Sequence, residues 1–149
     1  MANGSPTTHA QLSYESAVYK EQLRLLQKEI ERINLATVDL GNAAKTAQLL
    51  QKEDALVPIG GGAFIKSSIY ITKVLVPVGA DYLVDMEKDD AVNEINKRID
   101  ATKKAIEKLT EEFQKVSLKL RDISIKLKDA QTQDAINRRV NENIGEDYV

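Results

Sequence analysis

Apolar residues recur along this chain in two long heptad stretches, separated by a short segment with a different pattern. From about Gln11 to Gln51, Leu12, Tyr19, Leu26, Ile33, Leu40 and Ala47 occupy one heptad position (d). Ser16, Leu23, Ile30, Thr37 and Ala44 occupy the other (a). Alternating steps of three and four place all of them on one stripe of an α-helix. From about Asp89 to Ala130 the repeat is cleaner. Val92, Ile99, Ile106, Phe113, Leu120 and Leu127 take a, and Ile95, Thr102, Leu109, Val116, Ile123 and Ala130 take d. No proline or glycine interrupts this run, and Glu94–Arg98, Glu111–Lys115 and Asp122–Lys126 are placed as supporting i,i+4 pairs. Helices are therefore expected over residues 10–54 and 87–131.

The intervening residues 55–86 follow another grammar. Leu56-Val57-Pro58-Ile59 ends in Gly60-Gly61-Gly62, and Val74-Leu75-Val76-Pro77-Val78 ends in Gly79-Ala80-Asp81. Ala63-Phe64-Ile65, Ile69-Tyr70-Ile71 and Tyr82-Leu83-Val84 complete the apolar runs. Short β-branched and aromatic runs bounded by glycine read as strands, and four of them in two hairpins fit the length. Pro58 and Pro77 cannot donate to a ladder, so each belongs at an edge, bulge or strand end. Two helices flanking such an insert fold back on each other, and at about 1.5 Å per residue each extends ~60 Å. Pairing them from their inner ends sets Leu12 opposite roughly Asp129. The seam positions then turn polar at Asp134, Asn137 and Asn141, so residues 132–149 are expected to be a frayed or disordered tail. Residues 1–9 are small and polar and are expected to be disordered.

Composition narrows the function. Charged residues make up 30% and aromatics 5% of the 149 residues, which suits long helices better than an aromatic-rich core. A formal charge of -2 with interspersed signs argues against a nucleic-acid binder. With no cysteine and one histidine, His9, neither thiolate chemistry nor a histidine metal cluster is available, and no catalytic constellation is found. Gly60, Gly62 and Lys66-Ser67 do not make a phosphate loop, because Ile65 stands where glycine must precede the lysine. Glu87, Asp89 and Asp90 suit a helix N-terminus better than a metal site. No run approaches ~18 consecutive apolar residues, and no leader-like apolar core opens the chain. The expectation is a cytoplasmic protein that needs no cofactor.

The segment Leu56-Val57-Pro58-Ile59-Gly60-Gly61-Gly62-Ala63-Phe64-Ile65-Lys66, followed by Val76-Pro77-Val78-Gly79-Ala80-Asp81-Tyr82, resembles α-class prefoldin subunits of the archaeal type. The flanking heptads match in length and order, so the resemblance covers roughly residues 10–131. Pro77 departs from the family pattern. The resemblance implies an α+β fold: a long antiparallel two-helix coiled coil with two β-hairpins between the helices, the hairpins joining into an oligomeric β-barrel body. It implies an ATP-independent holdase whose coiled-coil tips hold unfolded protein for a cytosolic group II chaperonin. The implied assembly has two such chains with four β-class subunits.

Open sheet edges and an apolar segment agree with that picture. The expected oligomerisation residues are Val57, Ile59, Phe64, Ile65, Ile69, Ile71, Val74, Val76, Val78 and Leu83. Off the seam, Tyr14, Leu118 and Ile125 (position f) and Val18 (position c) map toward the free ends and are the candidate client contacts, joined by Leu12 and Tyr19 if the tip opens. The competing expectation is a scaffolding protein whose hairpins build a homomeric filament or ring.

Overall fold

In the second heptad stretch the helix is strongly specified: no helix breaker, a/d side chains for a partner, and Asp89 and Asp90 in the first turn to offset the helix dipole. In the computed structural model, which describes residues 9–70 and 73–146, this helix runs Lys88–Glu146. The element order is α1 (His9–Leu49), β1 (Asp54–Gly60), β2 (Ala63–Ser68), β3 (Val74–Gly79), β4 (Tyr82–Met86) and α2 (Lys88–Glu146). Every a and d position from Leu12 to Ala47 and from Val92 to Ala130 is buried or half-buried.

Two boundaries differ from expectation. α1 ends at Leu49 rather than near residue 54. The β1–β2 ladder reaches back to Asp54↔Ser68, the Ile69 amide donates to the Glu53 carbonyl at 2.8 Å, and Ser68 Oγ bonds Asp54 Oδ1 at 2.6 Å. The backbone at 53–54 thus finds its partners in the sheet, and the helix stops short of it. At the other end, residues 132–146 are helical, not a coil. Losing an apolar seam removes a packing partner, but elongation of an existing helix needs only local bonds. No proline follows and no glycine intervenes before Gly145. The side chains of residues 131–141 are all exposed.

The chain divides into two compact units, and α1 and α2 contribute to both. One comprises Met1–Glu31 and Glu107–Val149. Within it the helices run antiparallel: Lys119 Nζ lies 5.9 Å from the Tyr19 ring centroid, and His9 borders Gln131, Asp134 and Arg138. Leu12, Ser16, Val116 and Ile123 are its most buried seam residues.

The other unit is Arg32–Ile106, which holds both hairpins. Each hairpin is an isolated two-stranded antiparallel sheet, β1 with β2 and β3 with β4. Their registers are parallel constructions: Pro58↔Phe64 then Gly60↔Ala63, and Pro77↔Leu83 then Gly79↔Tyr82. Ile59 and Val78 are the extra residues of two bulges, so each proline sits at an irregularity, as its missing donor requires. The β3–β4 turn has positive φ at Gly79 (116°), Ala80 (47°) and Asp81 (61°). Glycine bears this conformation without cost; Ala80 and Asp81 adopt it against a steric penalty of about 1–2 kcal/mol each.

The second hairpin is anchored on the helices. Val76 is 2% exposed, and Val74 is half-buried. Beside them an apolar cleft of about 520 Å³ is bordered by Ala43, Ala47, Leu50 and Ile95. The Arg98 guanidinium donates to the Pro77 carbonyl, and Lys73 pairs with Glu87 at 3.4 Å.

A polar layer crosses the seam of this unit. Thr37 Oγ1 and Thr102 Oγ1 are 2.8 Å apart, Thr102 donates to the Ile99 carbonyl at 2.8 Å, and Thr37 Oγ1 also lies 2.8 Å from the Ile33 carbonyl. Replacing one hydroxyl removes the cross-seam hydrogen bond and sets the other, which keeps only its own helix carbonyl, against a methyl group, whereas replacing both leaves a continuous apolar seam. Thr37→Val and Thr102→Val are each expected to lower stability by about 1 kcal/mol, and the double variant to recover or exceed the parent. Thermal melts followed by circular dichroism check this. Additive losses in the double variant would refute it.

Candidate interaction surfaces

Among the described residues no group of His, Cys, Asp or Glu is placed to hold a metal ion. The candidate site is two sets of exposed apolar side chains, one in each unit.

In the hairpin unit, strand alternation explains which residues are left outward. On β1 both Leu56 and Val57 are exposed, and on β2 both Phe64 and Ile65, so both faces of the first hairpin meet solvent. Val57 lies opposite Ile65, and Pro58 opposite Phe64. On β3 the faces differ: Val76 is buried on the helices, and Leu75 and Val78 are exposed.

Of the expected oligomerisation residues, Val57, Ile59, Phe64, Ile65, Val78 and Leu83 are exposed, and Ile69 and Val74 are half-buried. Val76 is a correction: it belongs to the intrachain core, because its pleat position faces the helices. Ile71 lies outside the described residues. Leu56, Leu75, Tyr82 and Val84 are exposed as well, and β-strand alternation marks them as it marks their neighbours.

In the helical unit, Leu118 is 61% and Ile125 50% exposed, each in the f position directly behind the seam. Tyr14 and Val18 are exposed on α1. Leu12, a client contact only if the tip opens, is 6% exposed and packed in the seam, as position d requires. Tyr19 is half-buried beneath Lys119. The structure adds exposed Ile136 and Val140, which lie beyond the last apolar seam residue. Following only the seam positions hides them; following the outward face finds them. It also adds Leu25, exposed at the rim of a shallow, largely apolar groove of about 350 Å³ floored by Leu26, Leu109 and Val116. Charge surrounds these residues without burying them; at Glu21, the hydrogen bond from Arg24 holds the carboxyl below its ordinary range.

Two long helices joined by paired hairpins define a recognisable class of protein. The family model described as Prefoldin subunit matches residues 19–133, and the chain belongs to the prefoldin family. It is 37% identical over 94 residues to Prefoldin subunit alpha of Methanococcus aeolicus, covering 62% of this chain and 65% of that one. It is 33% identical over 94 residues to Prefoldin subunit alpha of Pyrococcus horikoshii, covering 59% and 64%. These matches span just under two thirds of the relatives' length. Among solved structures, filamentous PFD from Methanocaldococcus jannaschii shares the fold with a TM-score of 0.66 at 22% identity, covering 76% of this chain and 98% of that one. The prefoldin beta subunit from Thermococcus strain KS-1 does so with a TM-score of 0.60 at 21% identity, covering 87% and 96%. No helix among the described residues is long and apolar enough to cross a membrane.

Proposed function

We propose that this chain is a subunit of an ATP-independent holdase, which captures unfolded protein on outward apolar side chains of its coiled coil and passes it to a cytosolic group II chaperonin. The observation that carries the reading is that one chain exposes two sets of apolar side chains, one on its hairpins and one on its helices. The hairpins expose apolar residues on open sheet edges, a surface for other subunits. Leu118, Ile125, Tyr14 and Val18 stand on helices whose seam is already filled, so they are free for a client. Unfolded chains offer no fixed shape, and scattered apolar side chains on charged helices suit them.

In this reading the assembly contains two copies of the chain with four β-class subunits and works in the cytoplasm. The alternative reading is a homomeric filament or ring built through the same hairpins; filamentous PFD of Methanocaldococcus jannaschii shares the fold. The mass of the purified chain, alone and with a β-class partner, separates the two. Capture is tested by light scattering of a thermally aggregating client. The parent assembly suppresses scattering, and the variant Tyr14→Ser, Val18→Ser, Leu118→Ser, Ile125→Ser is expected to lose at least about half of the suppression while keeping its assembled mass. Full suppression by the variant would refute capture at these residues.

A further inference from the structure

Beyond the described seam, α2 carries a second stripe. With about 100° between successive residues, Leu118, Ile125, Ile136 and Val140 fall within an arc of about 60° on the face opposite the seam. All four are at least 49% exposed. One turn along from the first three, Arg121, Lys128 and Arg139 each follow at i+3 and form a basic row on one flank. Lys115, Lys119 and Lys126 border the other flank, and all six cations are exposed. Asp122 and Asp129 fall inside the arc, about 60° from Lys119 and Lys126 and about 100° from Arg121 and Lys128, so the Arg121, Lys128 and Arg139 row is the less compensated flank.

The charge bias is local to the stripe. Residues 115–140 hold seven basic and three acidic residues, a net of +4, whereas residues 88–114 hold six basic and seven acidic, a net of -1. The chain as a whole is -2. The cations therefore gather where the outward apolar residues are.

We infer that this face of α2 is a selective docking strip for apolar segments flanked by Asp or Glu. The inference rests on the capture reading and deepens it. Apolar side chains of the client lie along Leu118, Ile125, Ile136 and Val140, while its carboxylates meet Arg121, Lys128 and Arg139. Segments flanked by Lys or Arg are disfavoured by like charge. An arc of about 60° is narrower than the ≳100° apolar face of a helix that beds into a larger apolar surface, so it fits one peptide segment better than a bilayer. In this reading the helical extension past residue 131 has a role: it lengthens the strip by Ile136, Val140 and Arg139, although it has no apolar seam of its own.

The test uses the full chain in its assembled form and two fluorescein-labelled peptides with identical apolar residues, one flanked by Glu and one by Lys. Fluorescence anisotropy is expected to give about tenfold tighter binding of the Glu peptide at low salt, from three exposed charge pairs. Arg121→Gln, Lys128→Gln, Arg139→Gln should remove that gap without weakening the Lys peptide, and about 1 M NaCl should close it too. Ile136→Ser should weaken both peptides. Equal binding, or preference for the Lys peptide, overturns the inference and leaves capture standing. Binding of neither peptide overturns both. Persistence of the gap in the triple Gln variant, unchanged binding by Ile136→Ser, or co-sedimentation with phosphatidylserine-containing vesicles in place of peptide binding, also overturns it.

Discussion

Val76→Asp is expected to detach the second hairpin from the helices and to cost roughly 3–5 kcal/mol. Val76 is the largest fully buried side chain among the described residues, set beside Ala47 and Ile95. The cations near a carboxylate there are committed elsewhere: Lys73, which borders the same cleft, pairs with Glu87, and Arg98 with the Pro77 carbonyl and Glu94. Burial disfavours the charged form, so the introduced carboxyl titrates above the ordinary range while the hairpin is docked. The sign follows: the penalty is full at neutral pH and eases as pH falls through that raised value. Val76→Ala keeps the site apolar and costs about 2 kcal/mol through the cavity alone. Hydrogen exchange at the β3–β4 amides reads the effect, with rapid exchange in Val76→Asp at neutral pH and slower exchange at acidic pH. Protection equal to the parent at neutral pH would mean that Val76 does not hold the hairpin in place.

Val57→Lys with Ile65→Glu is expected to reduce the assembly to protomers. The two residues face each other across β1 and β2, so opposite charges keep the hairpin paired while removing two apolar side chains from its exposed face. Each such side chain contributes about 1.5–3 kcal/mol when buried. Losing two from each interface weakens association at least about a hundredfold. Native mass and sedimentation at micromolar concentration report the change, with helical circular dichroism unchanged because the seam is untouched. An unaltered assembled mass would show that this face of the first hairpin does not join subunits, and the opposite face, carrying Leu56 and Phe64, would then be the one to change.

The heptads made the helices legible because a two-helix seam has a single buried direction. One periodicity places every a and d residue, and all of them from Leu12 to Ala47 and from Val92 to Ala130 are withdrawn from solvent. The glycine clusters and the two prolines likewise marked the hairpins and their bulges, since both act through backbone geometry within a few residues. Outward apolar positions such as Leu118 and Ile125 followed from the same wheel.

Other features depend on contacts between residues distant in the chain. Val76 and Val57 look alike in sequence; one is core and the other exposed, because Val76 lies beside Ala47 and Ile95 of the helices. The end of α1 at Leu49 depended on Ser68 and Ile69 claiming the backbone near Asp54. The persistence of α2 past Gln131 shows the converse. A polar seam signals the loss of a partner, but local hydrogen bonding suffices for the helix itself, so periodicity reported packing there and not secondary structure. Local geometry is written in short-range pattern, whereas the choice of which apolar face is buried is made only when separate elements meet.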